Sequence, residues 1–197
     1  MKKGTIITIG AVIAVIAVFI FTYNSMVNKD EAVTSKWAQV ENDYQRRADL
    51  IPQLVNVVKG AADYERTTLE SVIEARSKAT SIQLTADDLT EENLAKFQKA
   101  QDQLSSALSH LMAIQEAYPE LKANQNFLEL QTQLEGTENR INVARRDFNE
   151  AVKDYNNYIR RFPAKIFAGM FGFEQKVYFK SAEGAENAPE VSFDFGK

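Results

Sequence analysis

The chain has 197 residues, with no cysteine, one histidine, one tryptophan and eight glycines, and 23 basic against 27 acidic residues. This composition excludes a disulfide framework, thiolate catalysis, a zinc ribbon and an acylated lipoprotein N-terminus, and argues against His-rich metal sites and glycine-rich phosphate loops. A formal charge of −4 argues against a nucleic-acid binder, which carries a concentrated basic face.

From Gly4 to Tyr23 no residue is charged, and Ile, Val, Ala and Phe dominate. A helix over this stretch spans roughly 30 Å, the thickness of a bilayer's hydrocarbon core. A cleaved signal peptide has a shorter apolar region, about 7–15 residues, ending in small residues. Here the run leaves through Phe21-Thr22-Tyr23-Asn24-Ser25, so it reads as a retained single-pass anchor with Tyr23 as an interfacial aromatic. Lys2, Lys3 and the terminal amine stand on one side and Lys29-Asp30-Glu31 on the other, which places the N-terminus in the cytoplasm and the remainder outside. Without Lys2 and Lys3 the chain keeps 21 basic and 27 acidic residues, so its soluble part is expected to stand off anionic headgroups.

Three segments follow: residues 1–26 as a stub and anchor, 27–180 as a helical bundle, and 181–197 as a flexible acidic tail. The first soluble helix carries Val33, Trp37, Val40, Tyr44, Ile51, Leu54, Val58 and Ala61, then Leu69, Val72 and Ile73, at helical spacing. Because the apolar phase carries through Pro52, the proline is expected to kink this helix; a turn there would give a four-helix up-and-down bundle instead. The second helix opens after Thr90-Glu91-Glu92 and has the seam Phe97, Gln101, Leu104, Leu108, Leu111, Gln115, Tyr118, closing at Pro119. The third runs Phe127, Leu130, Leu134, Thr137, Ile141, Ala144, Phe148, Ala151, Tyr155, Tyr158, Phe162, with spacings of 3 and 4 in alternation. Asn126 with Glu129 resembles its capping box, and Arg160-Arg161 before Pro163 mark its end. Short links at 81–88 and 118–126 make neighbouring helices antiparallel. Only Val177–Lys180 and Val191–Phe195 have strand character, and both are too short for a sheet. The expected fold is all-α: an N-terminal transmembrane helix, an antiparallel bundle of three long helices, and a short C-terminal helix.

Three stretches carry a resemblance. They are Gln45-Arg46-Arg47-Ala48-Asp49-Leu50-Ile51-Pro52-Gln53-Leu54-Val55; Glu116-Ala117-Tyr118-Pro119-Glu120-Leu121-Lys122-Ala123-Asn124; and Thr137-Glu138-Asn139-Arg140-Ile141 with Ala144-Arg145-Arg146-Asp147-Phe148-Asn149. With Phe162-Pro163 and Phe171-Gly172-Phe173, and over Val33 to Phe179, the chain resembles the LemA family of membrane-anchored bacterial proteins. The resemblance implies an N-terminal transmembrane helix and a helical bundle at the bacterial cell membrane, and brings no reaction with it. It also implies a short N-terminus outside the cell, opposite to the charge count.

No constellation supports catalysis. Asp102, Ser106 and His110 share one helical stripe, but Ser lies between acid and His, and a continuous helix frees no backbone N–H for an oxyanion. Asp87-Asp88 and Glu91-Glu92 are adjacent pairs that diverge on a helix and read as charges at a helix start. No Glu-x-x-His pair builds a di-metal site. Arg140, Arg145, Arg146, Arg160 and Arg161 alternate with acids and read as a solvated face.

Two clusters remain as interaction candidates. Arg46, Arg47 and Asp49 beside Pro52 would satisfy backbone groups freed by the proline and pair across the bundle, or form a docking site for an acidic partner. Ile166, Phe167, Met170, Phe171 and Phe173 would form a lid on the bundle, or a contact for a partner or lipid. Thr137, Gln101 and Gln115 would fix helix register. The expected function is a non-enzymatic scaffold or adaptor with an envelope protein partner or self-association, and no cofactor, metal, nucleic acid or small-molecule substrate. The alternative is a membrane-remodelling or lipid-contacting, self-assembling protein.

Overall fold

A computed structural model describes residues 3–61 and 66–180, all helix, turn or irregular chain with no strand among them. The helices are α1 (Lys3–Ala61), α2 (Arg66–Ser81), α3 (Glu91–Ala113), α4 (Pro119–Lys122), α5 (Gln125–Arg160) and α6 (Ala164–Phe171). A 3-10 turn, Ile114–Glu116, follows α3. The all-α bundle behind a long apolar N-terminal helix is therefore as expected. The acidic tail 181–197, with Val191–Phe195, lies outside the described residues.

The 59 residues of α1 rise about 88 Å without interruption, so the apolar stretch and one wall of the bundle are the same helix. Cross-helix pairs set the topology. Lys36 meets Asp147, Asp43 meets Arg140 and Arg47 meets Glu138, so α1 and α5 run antiparallel. Arg76 meets Ala48 and Gln101 meets Ala79, which makes α2 antiparallel to both α1 and α3.

Among the described residues the bundle thus has four long helices, up and down, the second of the two expected arrangements, with the chain reversing between Ala61 and Arg66 and not at Pro52. Pro52 stays inside α1 with its ring on the exposed side. Proline has no N–H, which leaves the carbonyl four residues earlier without its helical donor. That carbonyl belongs to Ala48, and the Arg76 Nε from α2 donates to it at 2.8 Å. A second helix supplies the hydrogen bond that the proline removes. Apolar phase alone did not reveal the reversal, because α1 and α2 each turn one stripe toward the same core: Ile51, Leu54 and Val58 from one, Leu69, Val72 and Ala79 from the other. Ile73, expected in that stripe, is exposed.

Arg76→Leu keeps the apolar stem but strands the Ala48 carbonyl, and is expected to cost about 1–3 kcal/mol in chemical denaturation. In a Pro52→Ala background the restored N–H serves the carbonyl and the cost of Arg76→Leu should shrink. Equal costs in both backgrounds would show that the two residues are not coupled.

Thr90 caps α3, its hydroxyl accepting from the Asn93 N–H at 3.1 Å. Tyr118 is extended ahead of Pro119, which opens α4. The cap of α5 is Asn124, two positions before the expected capping box, and its side chain accepts from the Phe127 N–H at 3.2 Å. Phe127 through Phe148 form the expected seam; beyond it Tyr155 stays buried as expected, while Val152, Asn156 and Ile159 are buried in place of the half-buried Ala151 and Tyr158. A straight helix drifts about 20° per heptad from a 3.5-residue seam, and the chain beyond α6 covers the newly turned face. Phe162, expected at the end of the seam, lies past α5 and is 83% exposed.

The core falls into two apolar parts. The one nearer the apolar end of α1 holds Trp37, Tyr44, Phe97, Phe148, Tyr155 and Phe179. The distal one holds Ile51, Leu54, Leu104, Leu111, Phe127 and Leu134. Between them lies a polar layer containing Arg47, Gln101 and Thr137, all buried.

Candidate functional site

The first predicted cluster divides on folding. Arg46 and Arg47 are consecutive and leave α1 about 100° apart, so one faces water and the other the core. Arg47 is buried to 1% exposure. Its Nη1 donates to the Ser105 hydroxyl at 2.7 Å and to the Glu138 carboxylate at 2.9 Å. Its Nη2 donates to the Gln101 backbone carbonyl at 3.3 Å and side-chain Oε1 at 2.6 Å. Gln101 in turn donates to the carbonyl of Ala79 near the end of α2 at 3.4 Å, so one guanidinium network touches all four long helices. The Arg47 plane also lies over the Tyr44 ring, 5.1 Å from its centroid. Burial pushes the Tyr44 hydroxyl above the ordinary phenolic range, against the opposing influence of Arg145 and Arg47.

Of the predicted register residues, Gln101 is part of this network. Thr137 is buried beside it but bonds within its own helix, donating to the Gln133 carbonyl and accepting from Arg140. Gln115 is half-buried in the 3-10 turn, outside α3. Arg46 and Asp49 are exposed, and Asp49 accepts from Gln45 at 2.7 Å. With Asn42, Asp43, Leu50 and Gln53 they line an open groove of about 430 Å³ on the outer face of α1.

A second arrangement was not expected from the sequence. Gly172 ends α6 in the left-handed conformation, φ 75°, and the Phe173 N–H closes onto the Ala168 carbonyl at 3.0 Å. The chain then runs extended along α5. Asn156 clamps Lys176, donating to its carbonyl at 2.8 Å and accepting from its N–H at 2.9 Å. Asn149 clamps Phe179 in the same way, at 3.1 and 2.9 Å. Seven residues of helix rise about 10.5 Å, and three residues of extended chain cover about 10 Å, so the two clamps match in pitch. Phe179 is buried among Trp37, Phe148 and the Arg145 guanidinium. Trp37 also meets Phe97, and its indole N–H donates to the Leu84 carbonyl at 2.9 Å. Val177–Lys180 is thus extended without being a strand, because its partner is a row of helix side chains.

The second predicted cluster lies mainly on α6. Ala164 and Ala168 face the bundle, whereas Ile166, Met170 and Phe171 are exposed and Phe167 and Phe173 half-buried. Four ring contacts tie this cluster to the apolar part of α1. Phe19 meets Phe167 at 5.2 Å and Phe171 at 5.7 Å; Tyr23 meets Phe171 at 5.2 Å and Phe173 at 6.0 Å. Phe167 and Phe173 pack against the proximal core. The stretch of α1 before Tyr23 is a candidate membrane-spanning helix by length and apolarity, with its large residues from Ile6 to Phe21 exposed apart from the half-buried Phe19.

Asp102, Ser106 and His110 lie exposed on α3. Asp88 accepts from the Thr85 N–H and hydroxyl, Glu91 pairs with Lys180, and Glu92 pairs with Lys96 at 2.7 Å, which suits charges about a helix start. Among the described residues no group of His, Cys, Asp or Glu converges to hold a metal.

Comparison with known proteins gives a match to the LemA family over residues 36–193, which reaches past Phe179 into the tail. Magnetosome protein MamQ 2 of Paramagnetospirillum magneticum is 27% identical over 192 residues, covering 89% of this chain and 71% of that protein. Magnetosome protein MamQ of Magnetospirillum gryphiswaldense is 25% identical over 190 residues, covering 88% and 70%. Protein LemA of Metamycoplasma hominis is 22% identical over 175 residues, covering 87% and 76%.

Proposed function

The chain belongs to the LemA family, and we propose that it acts as a non-enzymatic scaffold or adaptor in the bacterial envelope, single-pass, with its bundle outside the cytoplasm. The observation that carries this reading is the unbroken α1, in which the apolar stretch and a bundle wall share 59 residues of one helix. Such a helix fixes the distance and rotation of the bundle relative to the membrane, which is what a docking platform needs and a diffusing catalyst does not.

The polar layer supports the same reading. The buried Arg47 bonds to Ser105, Glu138 and Gln101 of its own bundle, which uses it as a fastener of helices. The docking reading then rests on Arg46 and Asp49, which line the outer groove of α1 with Asp43 and Gln53. A mixed-charge groove suits a polar protein surface carrying both signs.

A photoreactive residue at position 46, crosslinked in cells, tests the proposal. A discrete protein adduct, reduced by Asp49→Lys, is the expected result. Substrate turnover by the purified full chain, abolished by a point change in the bundle, would overturn it.

A further inference from the structure

The four ring contacts between α6 and α1 set the height of α6 relative to the apolar stretch. Phe19 is one helical turn before Tyr23, about 6 Å along the axis, so the Phe167 ring packs below the level of the interfacial tyrosine and the Phe171 ring, which meets both, packs between the two levels. Where α1 crosses a bilayer, the medium at that depth would be acyl chain. The side of α6 away from the bundle carries Ile166 and Met170, one turn apart and 56% and 68% exposed, and Phe162 lies exposed just ahead of them. Left in water these side chains would be an apolar patch of the kind that marks a protein or membrane contact. Of the exposed charges flanking them, Arg160, Arg161 and Lys165 are basic and Glu174 is acidic, a local excess of positive charge. The acidic balance of the whole chain hid this local reversal of sign, since the acids in excess lie elsewhere in the sequence.

We propose that α6 is an interfacial helix, seated in the outer surface of the bilayer that α1 crosses. Ile166 and Met170 lie in the acyl boundary, and Arg160, Arg161 and Lys165 extend their stems to reach lipid phosphates. The occupant of the exposed face is lipid because that face is continuous, through Phe19 and Tyr23, with a surface that lipid already covers. The bundle does not stand off the membrane on a stalk: it is held at two points, the anchor and α6, and cannot swivel about either. This inference rests on the anchor crossing the bilayer but not on the adaptor role.

The absence of cysteine makes the test direct. The full chain is reconstituted into vesicles of zwitterionic and anionic phospholipid, with a single nitroxide label at Met170→Cys, Ile13→Cys or Asp102→Cys. Paramagnetic broadening by oxygen reports acyl surroundings and broadening by an aqueous nickel chelate reports water. The label at 170 is expected to respond to oxygen and not to the chelate, at a depth of about 5–10 Å, and to become shallower in Arg160→Glu/Arg161→Glu or without anionic lipid. The label at 13 should be deep and that at 102 wet. A label at 170 open to the chelate while that at 13 is deep would overturn the inference alone. A label at 170 shielded from both agents would place protein, a partner or a second copy, on this face and overturn it too. A label at 13 open to the chelate would overturn the anchor and the inference together.

Discussion

Replacing Arg47 with alanine is expected to destabilise the bundle by about 3 kcal/mol, a fall in Tm of roughly 6–12 °C for a domain of this size. The substitution removes four hydrogen bonds and a large side chain from the layer between the two cores. Gln101 then loses its donor while buried, which costs about 1–3 kcal/mol by itself. Glu138 adds less, because its carboxylate side chain is 44% exposed and water takes over from the guanidinium. Arg47→Met restores volume without donors and should cost less than alanine. Arg47→Lys should resemble methionine more than arginine, since one ammonium cannot reach Ser105, Glu138 and Gln101 in the planar fork that the guanidinium fills. Unfolding of the full chain in detergent, followed by the fluorescence of its one tryptophan, ranks the three.

The layer is also a register device. Among the described residues the Arg47 Nε is buried without a hydrogen-bond partner, and a buried charged group of this kind is weak evidence for stability as against an apolar filling. What the layer does is penalise sliding. A shift of α1 by one turn relative to α5 would separate Arg47 from Glu138 and carry a charge into an apolar core. A sharp unfolding transition and a well-dispersed amide spectrum for Arg47→Met would show that the apolar seams set register without it.

Arg47 was legible as a buried residue, by a signal that charge obscures. Val33, Trp37, Val40, Tyr44, Ile51, Leu54 and Val58 alternate 4 and 3 apart except between Tyr44 and Ile51, and position 47 fills that gap. Grouping it with Arg46 and Asp49 by proximity in sequence mixed an inward residue with two outward ones. The helical segments, the Thr90 cap and the seam from Phe127 to Phe148 were legible because each repeats a local rule, whereas the α5 cap and the stripe after Phe148 departed from it. The pairing of Arg76 with the Ala48 carbonyl was not, since it depends on where α1 reverses, and nothing in the apolar phase marks that place. Asn149 and Asn156 show the same limit. Their spacing of two turns has meaning only beside Lys176 and Phe179, and a segment too short for a sheet gives no hint that helix side chains will bond its backbone. On α6 the apolar cluster was plain in the sequence. Its height against Phe19 and Tyr23, which decides what it touches, required the structure.

Trp37→Ala is expected to be the most damaging single change in the proximal core, at about 3–5 kcal/mol. Trp37 is 1% exposed and holds four separate pieces of chain together. Its ring edges meet Phe97 of α3 and Phe148 of α5 at 5.6 Å, its face stacks on Phe179 at 6.0 Å, and its N–H binds the Leu84 carbonyl in the link between α2 and α3. Trp37→Phe separates the two contributions: it keeps most of the apolar contact and loses the N–H, and should cost about 1 kcal/mol for the hydrogen bond plus a smaller packing loss. The two variants should also differ at the C-terminal extended segment. Without the indole face, Phe179 loses one wall of its pocket, and the Asn149 clamp, which depends on Phe179 being seated, must then hold an unanchored chain. Tryptic cleavage after Lys176 and Lys180 should therefore accelerate in Trp37→Ala well beyond what global unfolding produces, and only slightly in Trp37→Phe. If cleavage in both variants simply follows their unfolding equilibria, the segment is held by its asparagine clamps alone and Trp37 serves the helices only.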